Sequence, residues 1–361
     1  MKAFKFIFSG GGTGGHIYPA LAIAKDIKSI KPDANVLFVG AIDKMEMEIV
    51  PKADFKIKGL WISGFQRSFS LQNLLFPFKV FTSLLQSLII LLRFKPDAVI
   101  GTGGFASWPL LQVAQWLNYP TIIQEQNSFP GIANRILGKK ANRVCVAYEK
   151  MEDYFPPYKL RLTGNPIRFN MLSSAITASA AKRFFGLNPQ KPTLIVIGGS
   201  LGAKRINELV AKELFFFKTH DFQILWQCGK LYFNKYKTLS SPEVVIKSFV
   251  YEMEKLYAAA DIIISRAGAG SLSELSCVGK PLILIPSPNV TANHQFHNAR
   301  VLVDKKAAFL VEECDISKFF KKIFKKIATD RNLQKEMGQN LKALAKPNST
   351  NEIVKEIMEL L

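Results

Sequence analysis

Cysteine is scarce in this 361-residue chain: Cys145, Cys228, Cys277 and Cys314 stand far apart and form no CxxC pair. That spacing excludes a zinc ribbon and a disulfide framework, and it fits a reducing compartment. No Asp-x-Asp pair stands at the end of an apolar run, so the metal clamp that many sugar transferases use on a nucleotide diphosphate is missing. Low-complexity tracts and long blocks of like charge are also absent, which excludes extended disorder. The first residues, MKAFKFIFSGG, read as a strand without the charged region, apolar stretch and cleavage site of an export signal, so a cytoplasmic protein is expected. The most apolar segment, Leu74 to Leu92, is interrupted by Pro77 and Lys79, and its uncharged run from Val80 to Leu92 covers 13 residues. A spanning helix needs about 17 to 25. A buried helix, or one that dips into a membrane surface, remains open.

Positive charge and glycine are plentiful. The net charge of +20 comes from 48 Lys and Arg against 28 Asp and Glu, and it is spread over both halves. It favours an anionic partner: nucleic acid, an acidic membrane surface or a phosphorylated substrate. Nucleic acid would need aromatic platforms or a recognition motif, and the sequence has neither.

The 23 glycines are concentrated in a repeated pattern, an apolar β run ending in a glycine loop that leads into a helical period. It occurs at FKFIFSGGGTGGH (4–16), DAVIGTGGFAS (97–107), TLIVIGGSLGAKRINE (193–208) and DIIISRAGAGSLSE (261–274). After the first loop Ile17, Ala20, Leu21, Ala24 and Ile27 recur at helical spacing. With the further runs NVLFVG, TIIQEQ, RVCVAY, FQILW, VVIKSFV, PLILI and AAFLV, the pattern predicts an α/β protein of two doubly wound parallel sheets. Gly164 and Pro166 interrupt both periods near the junction. The expected division is 1–163, 164–345, and a C-terminal helix in 346–361 free to pack back on the first domain.

A glycine turn entering a helix offers backbone N–H groups to phosphate. The first loop lacks the closing Lys-Ser/Thr of an NTPase. Its GxGxxG-like spacing at Gly10, Gly12 and Gly15 lacks the acidic residue that a dinucleotide site places after the second strand, where Ala41 and Ile42 stand. His16, directly after the loop, is expected to be kept neutral by the helix start and is the candidate general base. In the fourth loop the amides of Ala269 to Leu272 are candidates for a diphosphate and Glu274 for a ribose diol. The glutamate's affinity for a helix N-terminus explains its position equally well. His294 and His297 have no third ligand at a zinc-like spacing, so no metal is expected.

Six motifs in order, GGTGGH (11–16), EQN (125–127), TGNPIR (163–168), GGSLGA (198–203), SRAGAGSLSE (265–274) and NHQ (293–295), resemble the MurG family, the UDP-N-acetylglucosamine transferases of glycosyltransferase family 28. The resemblance implies a GT-B fold of two Rossmann-like domains with an inter-domain cleft, acceptor and membrane side first, UDP-GlcNAc side second. It implies an inverting transfer of GlcNAc to the 4-hydroxyl of MurNAc in lipid I, giving lipid II for peptidoglycan. It also implies that Thr13, Gly14 and Gly15 face donor and acceptor diphosphate with His16 beside them, and that Asn127 and Gln295 bind GlcNAc hydroxyls. Arg168 and Ser200 then lie near the nucleotide, the backbone of Val250 reads uracil, Ala269, Gly270, Ser271, Leu272 and Ser273 hold phosphate, and Glu274 holds the ribose. No cofactor is implied, and mild stimulation by a divalent ion is compatible with it. The implied location is the cytoplasmic face of the inner membrane, held peripherally through the Leu74–Leu92 region, with Leu75, Phe78, Phe81 and Leu85 as its apolar side chains and Lys79, Arg93 and Lys95 as its basic ones, and with cell-wall synthesis proteins as further partners. A related GT-B transferase acting on another lipid, such as a diacylglycerol, is the alternative. Glu252, where the family carries Asp or Asn, and Phe105, where tyrosine is frequent, depart from the pattern.

Overall fold

The structure is a computed structural model that describes residues 3–64, 75–167, 176–199 and 201–361. Two compact units emerge, Met1–Ile167 with Asn348–Leu361, and Arg168–Pro347.

The first unit carries β1 (Lys5–Gly10), β2 (Asn35–Ala41), β3 (Lys56–Leu60), β4 (Ala98–Gly103), β5 (Thr121–Glu125), β6 (Arg143–Val146) and β7 (Leu160–Leu162). These strands form one sheet in the order β3-β2-β1-β4-β5-β6-β7, every pair parallel. Its helices are α1 (Gly14–Ile30), α2 (Glu46–Ile49), α3 (Phe76–Phe94), α4 (Ser107–Trp116) and α5 (Ile132–Gly138). The inner strands are buried on both faces, which is why FIFS and AVIG read as unbroken apolar or small-residue runs.

The second unit carries α6 (Ala178–Phe184), β8 (Thr193–Ile197), α7 (Lys204–Thr219), β9 (Gln223–Gln227), α8 (Phe233–Tyr236), β10 (Val244–Lys247), α9 (Met253–Ala258) and β11 (Ile262–Ser265). It continues with α10 (Ala269–Val278), β12 (Leu282–Leu284), α11 (His294–Asp304), β13 (Phe309–Leu310), α12 (Ile316–Thr329) and α13 (Arg331–Ala343). Its sheet runs β10-β9-β8-β11-β12-β13, again parallel throughout. A last helix, α14 (Ser349–Met358), belongs to the first unit and packs on α1. The doubly wound α/β architecture expected from the sequence is present in both units.

Sheet order places the chemistry. Chain order reverses between β1 and β4 in one sheet and between β8 and β11 in the other, and ligands of such sheets bind beyond the strand ends at that point. The four glycine loops follow those four strands.

Two strands, β3 and β7, were not among the apolar runs of the sequence. Both are edge or near-edge elements, and β3 alternates exposed Lys56 and Lys58 with partly covered residues. The apolar segment also differs from expectation. α3 runs 19 residues and by length and composition would suffice to cross a membrane, because Pro77 sits harmlessly in its first turn and Arg93 in its last. Its inner side is nevertheless committed: Val80, Leu84, Leu88, Ile90 and Leu91 join the first unit's core, and buried Ser83 and Ser87 lie on the same helix, which packs on α4. The outer side leaves Phe78 67% and Phe81 64% exposed, with Leu85, Ile89 and Leu92 following at helical spacing.

Candidate active site

In the first unit the loop after β1 enters α1 through Thr13, whose carbonyl accepts from the N–H groups of His16 (3.1 Å) and Ile17 (3.3 Å). Gly14 and Gly15, the first two residues of the helix, carry the outward amides at the positive end of its dipole. His16 is half-buried. Its Nδ1 lies 3.1 Å from the Gly11 carbonyl and 3.2 Å from Thr13 Oγ1. A carbonyl only accepts, so this geometry assigns the ring proton to Nδ1 and leaves Nε2 as the basic nitrogen. Burial lowers the His16 pKa, while the Gly11 carbonyl and then the Glu46 carboxylate pull it upward. The direction agrees with the sequence reading, but the leading cause is desolvation rather than the helix dipole.

The loop after β4 fits around this imidazole. Gly104, at φ +84°, is required: a Cβ there would stand 2.3 Å from the Gly11 carbonyl oxygen and 3.1 Å from His16 Nδ1. Thr102 Oγ1 donates to the His16 carbonyl at 2.8 Å, and Gln126 Nε2 donates to the Thr102 carbonyl at 2.8 Å. Through Thr102 the glycine loop and the EQN segment are therefore tied together. The ring of Phe105 lies against Gly12.

Asn127 follows β5 and turns onto Glu125, whose Oε1 accepts from its N–H (2.9 Å) and Nδ2 (3.2 Å). Glu125 Oε2 accepts from the Gly131 N–H (3.1 Å) and Asn134 Nδ2 (2.9 Å). Burial raises the Glu125 pKa against these four hydrogen bonds. Glu125 thus fixes the loop that carries Asn127, a role its place in the motif did not disclose.

In the second unit α10 starts at Ala269 behind Gly268, with no side chain capping it. The Leu272 N–H, expected among the phosphate donors, instead donates to the Gly268 carbonyl at 2.9 Å, and its side chain is buried. Ala269, Gly270 and Ser271 remain as the first-turn donors. Ser273 Oγ donates back to the Ala269 carbonyl at 3.1 Å. Glu274 is 8% exposed and accepts from the Tyr257 hydroxyl at 3.3 Å. Arg266 donates to the Ile285 carbonyl at 2.9 Å and pairs with Glu313 at 2.5 Å.

The Val250 N–H is taken by Gln227 Oε1 at 3.0 Å, so the backbone group Val250 can offer a base is its carbonyl. Gln227 Nε2 donates to the Gly199 carbonyl at 3.2 Å, which ties Val250 to the loop after β8. Tyr251 beside it is exposed and makes an edge contact with Phe249 at 4.8 Å. Gln295, in the first turn of α11, accepts the Ser287 N–H on Oε1 at 2.9 Å, leaving Nε2 as its donor end. Glu252 precedes α9 without capping it through its side chain. Arg168 and Ser200 lie outside the described residues.

Sequence reasoning missed Glu46, Gln227 and Tyr257. Each touches its partner across a long stretch of chain, and the motifs contain none of them. For Glu46 one signal existed: a Cβ on Gly11 would stand 2.1 Å from its Oε1, so the first glycine of GGTGGH is dictated by a carboxylate 35 positions on.

Comparison with known proteins adds the following. Residues 6–146 match the glycosyltransferase family 28 N-terminal domain and residues 193–357 its C-terminal domain. A protein of Flavobacterium psychrophilum named UDP-N-acetylglucosamine--N-acetylmuramyl-(pentapeptide) pyrophosphoryl-undecaprenol N-acetylglucosamine transferase is 53% identical, over 100% of this chain and 99% of its own. Its namesake in Christiangramia forsetii is 51% identical over 100% and 98%. The crystal structure of Acinetobacter baumannii MurG superposes with a TM-score of 0.79 at 26% identity, covering 99% of this chain and 100% of that one. The calicheamicin glycosyltransferase CalG4, at 13% identity and a TM-score of 0.75 over 100% and 99%, shares the fold.

Proposed function

This chain belongs to glycosyltransferase family 28, and from that premise we propose which of its residues carry each part of the reaction. The protein is an N-acetylglucosaminyltransferase that moves GlcNAc from UDP-GlcNAc to lipid I, the N-acetylmuramyl-(pentapeptide) pyrophosphoryl-undecaprenol, to give lipid II. The observation that carries the assignment of roles is the imidazole of His16, held by Nδ1 with Nε2 left basic, beside the unbonded amides of Gly14 and Gly15. The acceptor 4-hydroxyl oxygen attacks C1 of GlcNAc as its proton passes to His16 Nε2. The bond from C1 to the phosphate oxygen breaks, UDP leaves with the electron pair, and configuration inverts.

Thr13, Gly14 and Gly15 face the diphosphates, and their amides meet negative charge at a helix start. Ala269, Gly270 and Ser271 hold the departing diphosphate in the same way, with Ser273 on the next turn. Glu274 accepts from the ribose diol, and the Val250 carbonyl accepts from the uracil N–H. Asn127 and the Nε2 end of Gln295 bind GlcNAc hydroxyls.

Because the acceptor is lipid-borne, we assign the membrane contact to the outer side of α3 at the cytoplasmic face of the inner membrane. Support comes from its exposed Phe78, Phe81, Leu85, Ile89 and Leu92, flanked by exposed Arg93 and Lys95. Lys79 turns inward, over Trp61 at 5.8 Å and onto Ser63 Oγ at 3.2 Å. Each basic residue near an anionic leaflet adds about 1 kcal/mol of attraction.

Incubation of the purified protein with UDP-GlcNAc and lipid I tests the reading: lipid II and UDP should appear in equal amounts. Turnover with diacylglycerol and none with lipid I would overturn the acceptor.

A further inference from the structure

Glu46 is the most heavily buried carboxylate beside the glycine loop, and nothing in the reaction as described uses it. It is fully covered, and its two oxygens diverge: Oε1 accepts the Ala41 N–H and Oε2 the Gly12 N–H, each at 3.0 Å. The Gly12 N–H and the Gly11 carbonyl belong to one peptide group, and that carbonyl lies 3.1 Å from His16 Nδ1. Carboxylate, peptide and imidazole therefore stand in line.

We propose that Glu46 is the positioning residue of the proton transfer, acting on His16 through the Gly11–Gly12 peptide as a three-member hydrogen-bond relay. The inference rests on His16 being the base. Hydrogen bonds in series polarise one another. A carboxylate drawing on the N–H end of a planar amide makes its C=O end a stronger acceptor, and the stronger acceptor holds the ring proton on Nδ1. The arrangement does what the aspartate of a Ser-His-Asp triad does by direct contact, with one amide interposed. A carboxylate is the side chain that accepts at both of its diverging ends, and it brings a full charge into a covered site beside the ring. The Glu46 charge does reach the ring, where it opposes the fall in pKa caused by burial. The other groups facing the imidazole are neutral: the backbone of Gly103 and Gly104, the Thr13 hydroxyl, and on α5 the Asn134 amide, itself bonded to Glu125.

The test combines kinetics with nitrogen NMR of histidine-labelled protein, His16 being identified by the signal missing in His16→Ala. In the wild type the proton should reside on Nδ1; a proton on Nε2 overturns the proposal whatever the variants do. Glu46→Gln keeps the size and removes the charge; its amide oxygen can still accept the Gly12 N–H, while its NH2 end leaves the Ala41 N–H without an acceptor. It should lower the His16 titration midpoint, shift the tautomer toward Nε2–H and reduce kcat about ten-fold. KM for UDP-GlcNAc should hold, and adding the substitution to His16→Ala should cost no further activity. The acid limb of the pH profile then moves to lower pH while the rate falls, a pair of signs that a loop merely loosened would not give. Glu46→Asp, which keeps the charge, should return the midpoint toward the wild type. Unchanged tautomer, midpoint and kcat in Glu46→Gln, or a midpoint in Glu46→Asp as low as in Glu46→Gln, would sink the relay. A normal kcat in His16→Ala would instead remove the base assignment, and the NMR arms would still decide the coupling of Glu46 to the ring.

Discussion

After β1 the chain enters its helix over a floor of fixed groups: the Glu46 carboxylate on Gly12, the Thr102 hydroxyl on His16, and the Gly103 carbonyl on Gly11. After β11 it enters α10 over Gly268; neither helix start has a side-chain cap, but here the carboxylates lie apart from the loop amides, Glu313 on the Arg266 guanidinium and Glu274 a full turn inside the helix. Both are glycine turns at the switch point of a parallel sheet, and local sequence hardly separates them. The floor makes the difference. A group that must present one nitrogen in one protonation state needs its other contacts fixed, whereas an anion is served by amides left unbonded.

That contrast can be broken from either side. The largest expected effect is on the first loop: His16→Ala should lower kcat by roughly 10² to 10⁴, the usual range for a lost general base. UDP affinity measured by calorimetry should stay as it was, and a loss of UDP binding would erase the distinction between the loops. On the second loop, Glu274→Ala removes a charged acceptor worth roughly 1.5 to 3 kcal/mol. UDP should bind more weakly by about ten- to a hundred-fold, with kcat at saturating donor largely kept. Equal UDP affinity in the folded variant would leave Glu274 a structural role beside Tyr257 and remove the ribose contact.

Smaller effects sharpen the comparison. Since burial lowers the His16 pKa, the ring stays neutral to lower pH than an unperturbed imidazole, and it protonates only as pH falls through that lowered value. The acid limb of kcat should therefore lie below the usual histidine range; a limb above it would mean that another group titrates. Phe78→Ser with Phe81→Ser should reduce co-sedimentation with anionic vesicles at high salt, where charge attraction is screened. Parent-like binding would move the membrane contact away from α3. The smallest change is expected from EDTA, which should leave most turnover if backbone amides alone hold the diphosphate. Complete loss restored by one divalent ion would show that the second loop needs a metal partner.

Much of this architecture could be read from residue order, because buried parallel strands write themselves as apolar runs and each glycine loop marks a strand end. β3 escaped because two of its five residues face water, and β7 because three residues make no period. The outward face of α3 was legible in part: Leu75, Phe78, Phe81 and Leu85, which helical spacing sets on one side, are all exposed, while the sequence left open that Val80, Leu84 and Leu88 would pack into the core. In the site, the address of His16 could be read and its tautomer could not, since Gly11, Gly104 and Glu46 come from three separate segments. Nor could the sequence show that Leu272 differs from Ala269, Gly270 and Ser271: its amide, on the fourth residue of the helix, already bonds the Gly268 carbonyl.

The last helix has a consequence for biosynthesis. Ile353, Val354 and Ile357 of α14 complete the core around Phe6, Phe8 and Ile17, Ser349 Oγ donates to the Asn165 carbonyl at 2.5 Å, and Glu356 pairs with Arg143 and Arg161. Domains generally fold in the order in which the ribosome delivers them. Here the segment emerging first cannot be sealed until residues 168–347 have been translated, so the middle of the chain can reach its native state before the beginning does. Until then the apolar side of α1 stays open on a nascent polypeptide, a natural target for a chaperone that holds exposed surface during synthesis.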